Sequence, residues 1–137
     1  KEQSRIAQLK RWLSNDKIGV EAYFLPFVEL LLQSLAGQPL VLVIDGSTVG
    51  RGCVTLMVSV VYKGRALPLL WAVREGKKGH FPESMHIELI RAVQQLIPTG
   101  TEVVILGDGE FDGTDWLDTL DGFGWKYVCR TAENSLF

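Results

Sequence analysis

The stretch VLVIDGSTVG, residues 41–50, decides the fold, because an unbroken aliphatic run within it ends at a carboxylate, Asp45. Such a run is typical of a central β-strand that is covered on both faces. A carboxylate at the end of a buried strand is costly unless a turn, a hydrogen-bonding partner or a metal ion compensates it. The rest of the sequence has to distinguish between these three explanations.

Periodicity places this strand in an α/β domain. Aliphatic and β-branched runs predict five strands, at residues 41–45, 53–62, 65–73, 102–107 and 125–130. Helical spacing of apolar residues predicts two N-terminal helices over 4–13 and 20–36, a helix over 82–97 and a short helix around Trp116. The second and third strands read as a hairpin, and Pro68, which cannot donate a ladder hydrogen bond, puts the third strand at the sheet edge.

The connections set the order of the strands. A helix between two buried strands requires a right-handed parallel crossover, so the strand at 102–107 should lie beside the strand at 41–45 and run in the same direction. The predicted fold is an α/β mixed five-stranded sheet of order 3-2-1-4-5, flanked by helices. We expect residues 1–37 to form an N-terminal helical segment and residues 38–137 to form the α/β core.

Composition narrows the class of protein. The 137 residues are 47% hydrophobic and carry a net charge of −2, which supplies a core for one domain and argues against a stand-alone DNA-binding module. The sequence has neither an apolar run of about 18 residues nor a signal peptide. We therefore expect a cytoplasmic protein with no membrane partner. Cys53 and Cys129 lack metal-ligand spacing and are expected to be small buried thiols.

Two aspartates end two strands of the predicted sheet. Parallel neighbouring strands end at the same edge, so Asp45 and Asp108 should lie close together there, where open α/β sheets commonly bind ligands. Two carboxylates at close range repel each other unless a proton or a cation lies between them, and Mg²⁺ prefers such oxygen ligands. The alternative is that Asp45-Gly46 and Asp108-Gly109 are simply turn dipeptides.

Other polar and aromatic residues receive structural interpretations. Glu110 is either close to the aspartates or solvated, and Asp112 or Thr114 is the expected N-cap of the short helix. His86 is expected at the surface or boundary of its helix. The tryptophans within strands and on the apolar helix face are expected in the core, namely Trp71, Trp116 and Trp125.

The basic residues are few. The only basic cluster is the run Arg74, Lys77, Lys78 and His80, which is either a solvated loop or a phosphate-positioning patch. Arg130 ends the last predicted strand, at the same edge of the sheet as the two aspartates.

Several segments together resemble a known family. VLVIDGSTVG, VVILGDGEFDGTDWL and WKYVCRTAENS, preceded by GVEAYFLPFVELLLQSLAG, resemble the first part of the catalytic core of DDE transposases of bacterial insertion sequences, the cut-and-paste type with a ribonuclease H-like fold. The resemblance spans nearly the whole chain. It implies DNA strand cleavage and strand transfer at transposon ends, on transposon and target DNA, by a homo-oligomer that associates with the nucleoid when it acts.

The resemblance also implies roles for individual residues. Asp45 and Asp108 would be the first two members of a catalytic acidic triad and would ligate Mg²⁺ or Mn²⁺, with Asp45 bridging two ions. Arg130 would contact DNA, with Lys77 and Lys78 as further DNA-binding candidates. Gly109 departs from the family pattern, in which an arginine commonly follows the second aspartate. The third acidic residue, a glutamate on a later helix, has no candidate before Phe137, so we expect an incomplete core that is inactive in isolation.

Three alternatives are weighed at this stage; the first and the third stay open, whereas the second fails. DGSTVGR, residues 45–51, is similar to the phosphate-binding hairpin of an actin-like or sugar-kinase ATPase half, although Ser47 stands where such a loop needs glycine. Ser47 also stands where a haloacid-dehalogenase-like phosphatase would need its second aspartate. The third alternative is an inactive transposase remnant that binds DNA or a partner protein.

Overall fold

The computed structural model describes residues 2–77 and 81–130. Its N-terminal part consists of helices α1 (Glu2–Leu13), α2 (Val20–Tyr23) and α3 (Leu25–Leu35). The two predicted N-terminal helices are present, and the second is divided at Phe24. Pro26 causes the division, because it occupies the first turn of α3, where a missing N–H costs no helical hydrogen bond. None of the described helices is long and apolar enough to cross a membrane.

The remaining elements form a five-stranded sheet with two helices. These elements are β1 (Leu40–Gly50), β2 (Cys53–Tyr62), β3 (Arg65–Glu75), α4 (Glu83–Leu96), β4 (Val103–Gly107), α5 (Thr114–Gly122) and β5 (Lys126–Cys129). The sheet order is β3-β2-β1-β4-β5. The first three strands are antiparallel, whereas β4 runs parallel to β1 and β5 parallel to β4. The predicted mixed five-stranded sheet of order 3-2-1-4-5 is confirmed. The domain division at residue 37 stays a prediction.

The first strand is longer than predicted. β1 does not end at Asp45 but continues to Gly50, and Asp45 itself pairs with Met57 of β2. The chain turns only at Gly50, Arg51 and Gly52, all of which have positive φ. Two glycines adopt that conformation without strain, so the chain reverses there and not at Asp45. The interpretation of Asp45-Gly46 as a turn is therefore wrong.

The edge strand β3 carries the features expected of it. The connection from β2 is a two-residue turn at Lys63 and Gly64, both with positive φ, as in the turns that favour hairpins. Pro68 lies opposite Ser59, next to an irregularity in the register between Val58 and Ser59. A proline at an irregular edge position costs the ladder little and discourages pairing with a further strand.

One hydrophobic core joins the sheet to α3, α4 and α5. Trp116 and Trp125 are buried in it, as predicted, but Trp71 is 37% exposed and packs edge-on against Phe24 of the N-terminal segment. His86 is only 3% exposed, so its predicted surface position is wrong. Its helix faces the aromatic side chains that follow β4, and an imidazole ring fits among them. Both cysteines are half-buried and unpaired.

Candidate active site

The strand register brings the two predicted aspartates to the same edge. The recorded pairing of β1 with β4 ends at Val43 and Leu106. Two residues further along each strand direction come Asp45 and Asp108, and both are exposed. Residues two apart on a strand share a face, so Asp45 lies on the face of Val43 and not on that of the fully buried Ile44. That is why a carboxylate is tolerated directly after an aliphatic run.

Asp45 takes little part in local structure. Its pairing with Met57 is a main-chain pairing within the sheet, and the Ser47 hydroxyl donates a long hydrogen bond of 3.3 Å to its Oδ2. Neither interaction requires a carboxylate at this position. Of the three explanations for Asp45, the turn is excluded and the hydrogen-bonding partner is weak; because the side chain is exposed to solvent, it needs no compensating group, and its carboxylate is available to a ligand.

Asp108 has a local role as well. The backbone N–H of Glu110 donates to Asp108 Oδ1 at 3.1 Å, and the N–H of Phe111 donates to the Asp108 carbonyl oxygen at 3.1 Å. This arrangement is an Asx turn, so the turn interpretation is correct for Asp108. The turn occupies one lone pair of Oδ1 and leaves the other carboxylate sites available.

A buried aromatic cluster holds the loop that carries Asp108. Phe111 is 1% exposed, and its ring centroid lies 4.7 Å from that of His86 and 6.1 Å from that of Trp116. A Cβ at Gly107 would lie 3.0 Å from the Cβ of Phe111, so only glycine allows this close approach. Burial lowers the pKa of His86, and the nearby charge of Glu83 raises it in part. A mainly neutral imidazole can share this apolar space.

The helix after the loop is capped by a residue from a different helix. Gly113 is the N-cap of α5 and makes no side-chain hydrogen bond. The carboxylate of Glu83, the first residue of α4, instead accepts a hydrogen bond of 2.8 Å from the backbone N–H of Trp116. The expectation that Asp112 or Thr114 would be the N-cap is wrong, because Glu83 reaches the helix N-terminus from 33 residues away in the sequence. A Cβ at Gly113 would lie 2.0 Å from Glu83 Oε1, so glycine leaves the space that the carboxylate fills.

Glu110 lies beside the first strand and is partly buried. A Cβ at Gly46 would lie 3.7 Å from Glu110 Oε2 and 3.6 Å from Cε2 of Phe81. Glu110 Oε1 is buried and has no hydrogen-bond partner among the described residues. Sequence reasoning left its position open. The sequence signal that could have indicated the position of Glu110 is that it comes two residues after Asp108, the aspartate of the Asx turn.

The basic candidates lie in different places. The pairing of β4 with β5 ends at Gly107 and Cys129, so Arg130 is the next residue beside Asp108, and its backbone N–H donates to the Gly107 carbonyl oxygen at 3.2 Å. Lys77 is exposed in the loop after β3. Arg74 of the same run lies over the ring of Phe81, at 5.6 Å from its centroid. Lys78 and His80 lie outside the described residues.

The cysteine at this edge is not a candidate nucleophile or ligand. Burial raises the pKa of the Cys129 thiol; the Trp116 indole offsets part of the rise, and the Asp112 and Asp108 carboxylates add to it. The thiolate, the form that binds metals and attacks electrophiles, is thus disfavoured. Within residues 2–77 and 81–130, no group of three or more His, Cys, Asp or Glu side chains is arranged as a metal site.

Comparison with known proteins assigns the chain to a protein family. Residues 36–136 match the transposase DDE domain family. No curated protein sequence matches the chain significantly. Among solved structures, the catalytic domain of Mos1 transposase with raltegravir and Mg is 18% identical at a TM-score of 0.45, with coverage of 78% of this chain and 59% of that one.

Two further solved structures are similar to the chain. The same Mos1 domain with raltegravir and Mn gives 17% identity and a TM-score of 0.47, with coverage of 78% and 58%. A Ppx/GppA family member from Aquifex aeolicus gives 15% identity and a TM-score of 0.31, with coverage of 69% and 36%. The chain thus spans about three fifths of the length of the Mos1 chains that it matches.

Proposed function

The chain belongs to the transposase DDE domain family, and from that premise we propose that it acts in metal-dependent DNA strand cleavage and strand transfer at transposon ends. Asp45 and Asp108 are the proposed catalytic carboxylates. The observation that carries the proposal is the register of β1 and β4, in which both aspartates come two residues after the last recorded pair, Val43 and Leu106.

The residues at this edge fit a hard divalent cation. Carboxylate oxygens are the ligands that Mg²⁺ and Mn²⁺ prefer, and both aspartates keep oxygens that the described contacts do not use. Glu110 Oε1, a buried polar atom without a partner among the described residues, is a further acceptor on the loop that carries Asp108. When bound, such a cation would supply the positive charge that an in-line displacement at a phosphodiester requires.

The chain's own residues would bind and orient the DNA. Asp45 on β1 and Asp108 just after β4 would hold the cation, and the hydrogen-bonded sheet would fix their separation. Arg130, next to Asp108, would contact a DNA phosphate, with Lys77 and Lys78 contributing from the loop after β3. The partners would be transposon-end and target DNA, with more than one copy of the protein in the active complex, acting at the bacterial nucleoid.

Metal binding tests the proposal directly. Titration with Mn²⁺, followed by the loss of its free-ion electron paramagnetic resonance signal, should show weak binding to the wild type. Asp45→Asn and Asp108→Asn should each weaken it at least tenfold, because each removes one charged ligand. Asp118→Asn, an exposed carboxylate on α5, is the matched control and should bind as the wild type does. Equal Mn²⁺ affinity in Asp45→Asn and the wild type would refute the proposed site.

A further inference from the structure

Glu110 contacts both segments that carry the proposed catalytic aspartates. Its main-chain N–H donates to Asp108 Oδ1 at 3.1 Å. Its side chain reaches across to β1, where Oε2 lies 3.7 Å from the position that a Cβ would take at Gly46, the residue after Asp45. One residue thus touches the aspartate loop with its backbone and the aspartate strand with its carboxylate.

One oxygen of the Glu110 carboxylate lacks a hydrogen-bond donor among the described residues. Its Oε1 is buried, yet no group among the described residues donates a hydrogen bond to it. Buried charges in proteins are paired or coordinate metals, because desolvation otherwise makes them unfavourable. This oxygen, on the loop that carries Asp108, is therefore available to a donor that arrives with a ligand.

The surroundings of this carboxylate also favour a charged ligand. The ring of Phe81 also adjoins Gly46, with Cε2 at 3.6 Å from the same Cβ position. An aromatic ring in this place lowers the local dielectric, so that interactions with a charged ligand are stronger. Gly46 has no side chain and leaves room for both groups.

We propose that Glu110 is a positioning residue of the cation site, whose Oε1 accepts a hydrogen bond from a water molecule coordinated to the cation that Asp45 and Asp108 hold. The proposal rests on the proposed function, because it needs a cation between the two aspartates. Partners of this kind, which bind a ligand of the metal and not the metal itself, orient that ligand and raise metal affinity. Glu110 would thus add a third carboxylate to the site without entering the coordination sphere.

The test combines Mn²⁺ titration with unfolding measurements on the metal-free chain. Glu110→Ala removes the acceptor and should weaken Mn²⁺ binding by about tenfold or more, in the range found for such outer partners. Glu110→Gln keeps an oxygen acceptor at the same place and should lose only about threefold. Neither change should lower the urea midpoint of the metal-free chain, because Oε1 makes no hydrogen bond there. A merely structural role would lower that midpoint instead.

The outcomes separate this inference from the proposed function. If Glu110→Ala, or Glu110→Gln where the alanine variant does not fold, binds Mn²⁺ within twofold of the wild type while Asp45→Asn does not, the positioning role is overturned and the two-aspartate site stands. If the wild type itself binds no Mn²⁺, both are overturned. A lowered urea midpoint with unchanged Mn²⁺ affinity assigns Glu110 to structure alone and likewise overturns the inference.

Discussion

Because Glu83 caps α5, we expect Gly113→Ser to lower the free energy of unfolding of the wild type but to raise that of the Glu83→Ala variant. Gly113→Ser places a serine at the N-cap, where φ of −63° and ψ of 145° suit any residue. In the wild type the new Cβ would lie 2.0 Å from Glu83 Oε1 and would displace the carboxylate from its hydrogen bond with Trp116. In the Glu83→Ala variant the same space is free.

The magnitudes follow from the interactions involved. Glu83→Ala removes a hydrogen bond to a charged acceptor, worth about 1.5–3 kcal/mol, and a negative charge at a helix N-terminus, worth about 0.3–1 kcal/mol. We expect it to cost about 2–3 kcal/mol of unfolding free energy. Gly113→Ser in that background should recover about 0.5–1 kcal/mol through the serine cap and a less flexible unfolded chain. In the wild type it should cost about 1–2 kcal/mol, because the gain is smaller than the loss of the Glu83 cap.

Urea unfolding followed by far-ultraviolet circular dichroism measures all four chains of this double-mutant cycle. The expected coupling between the two positions is about 1.5–3 kcal/mol, within the range found for residues in contact. Glu83→Gln is the control that keeps an oxygen acceptor without its charge, and it should cost about 1 kcal/mol. If Gly113→Ser changes the unfolding free energy equally in both backgrounds, Glu83 does not cap α5 and the assignment is refuted.

Three further predictions concern the supports of the site. Phe111→Ala should cost about 3–5 kcal/mol in urea unfolding, because the ring is 1% exposed, whereas Phe111→Leu should cost far less. Gly107→Ala should cost about 1–3 kcal/mol, since its Cβ would lie 3.0 Å from Phe111; a neutral result would show that the loop yields easily. The lowered pKa of His86 means that the unfolded chain takes up a proton before the folded one does. The urea midpoint should therefore fall as the pH drops below about 7, until the folded pKa is passed. His86→Phe should flatten this decline, and an unchanged slope would contradict the burial of a neutral imidazole.

The sheet could be predicted from the sequence because its strands are encoded locally. Aliphatic and β-branched runs marked every strand, and the right-handed crossover rule fixed the order once a helix was recognised between 73 and 102. The parallel neighbours β1 and β4 then brought Asp45 and Asp108 to one edge without any knowledge of side chains. Pro68 marked the edge strand for an equally local reason, its missing N–H.

The sequence could not show what depends on contacts between distant residues. β1 continues past Asp45 because β2 pairs with it as far as Gly50. In the sequence alone, the charged Asp45 indicates the end of the strand. The cap of α5 comes from Glu83, and no pattern within the helix itself points there. His86 looked like a boundary residue, because an imidazole on an amphipathic helix reads as polar until Phe111 and Trp116 are placed around it. Glu110 was ambiguous for the same reason, since its surroundings come from β1 and from Phe81.

The unequal lengths of β1 and β4 give the sheet the outline of a step. β1 extends seven residues beyond Val43, its last pairing position with β4, and stays paired with β2 up to the turn at Gly50. Asp45 and Asp108 thus lie at the inner corner of that step, between the longer antiparallel strands on one side and the short strand β5 on the other. Among the described residues, Arg130 is the cation that adjoins this corner on its low side, directly after the last β5 residue paired with β4.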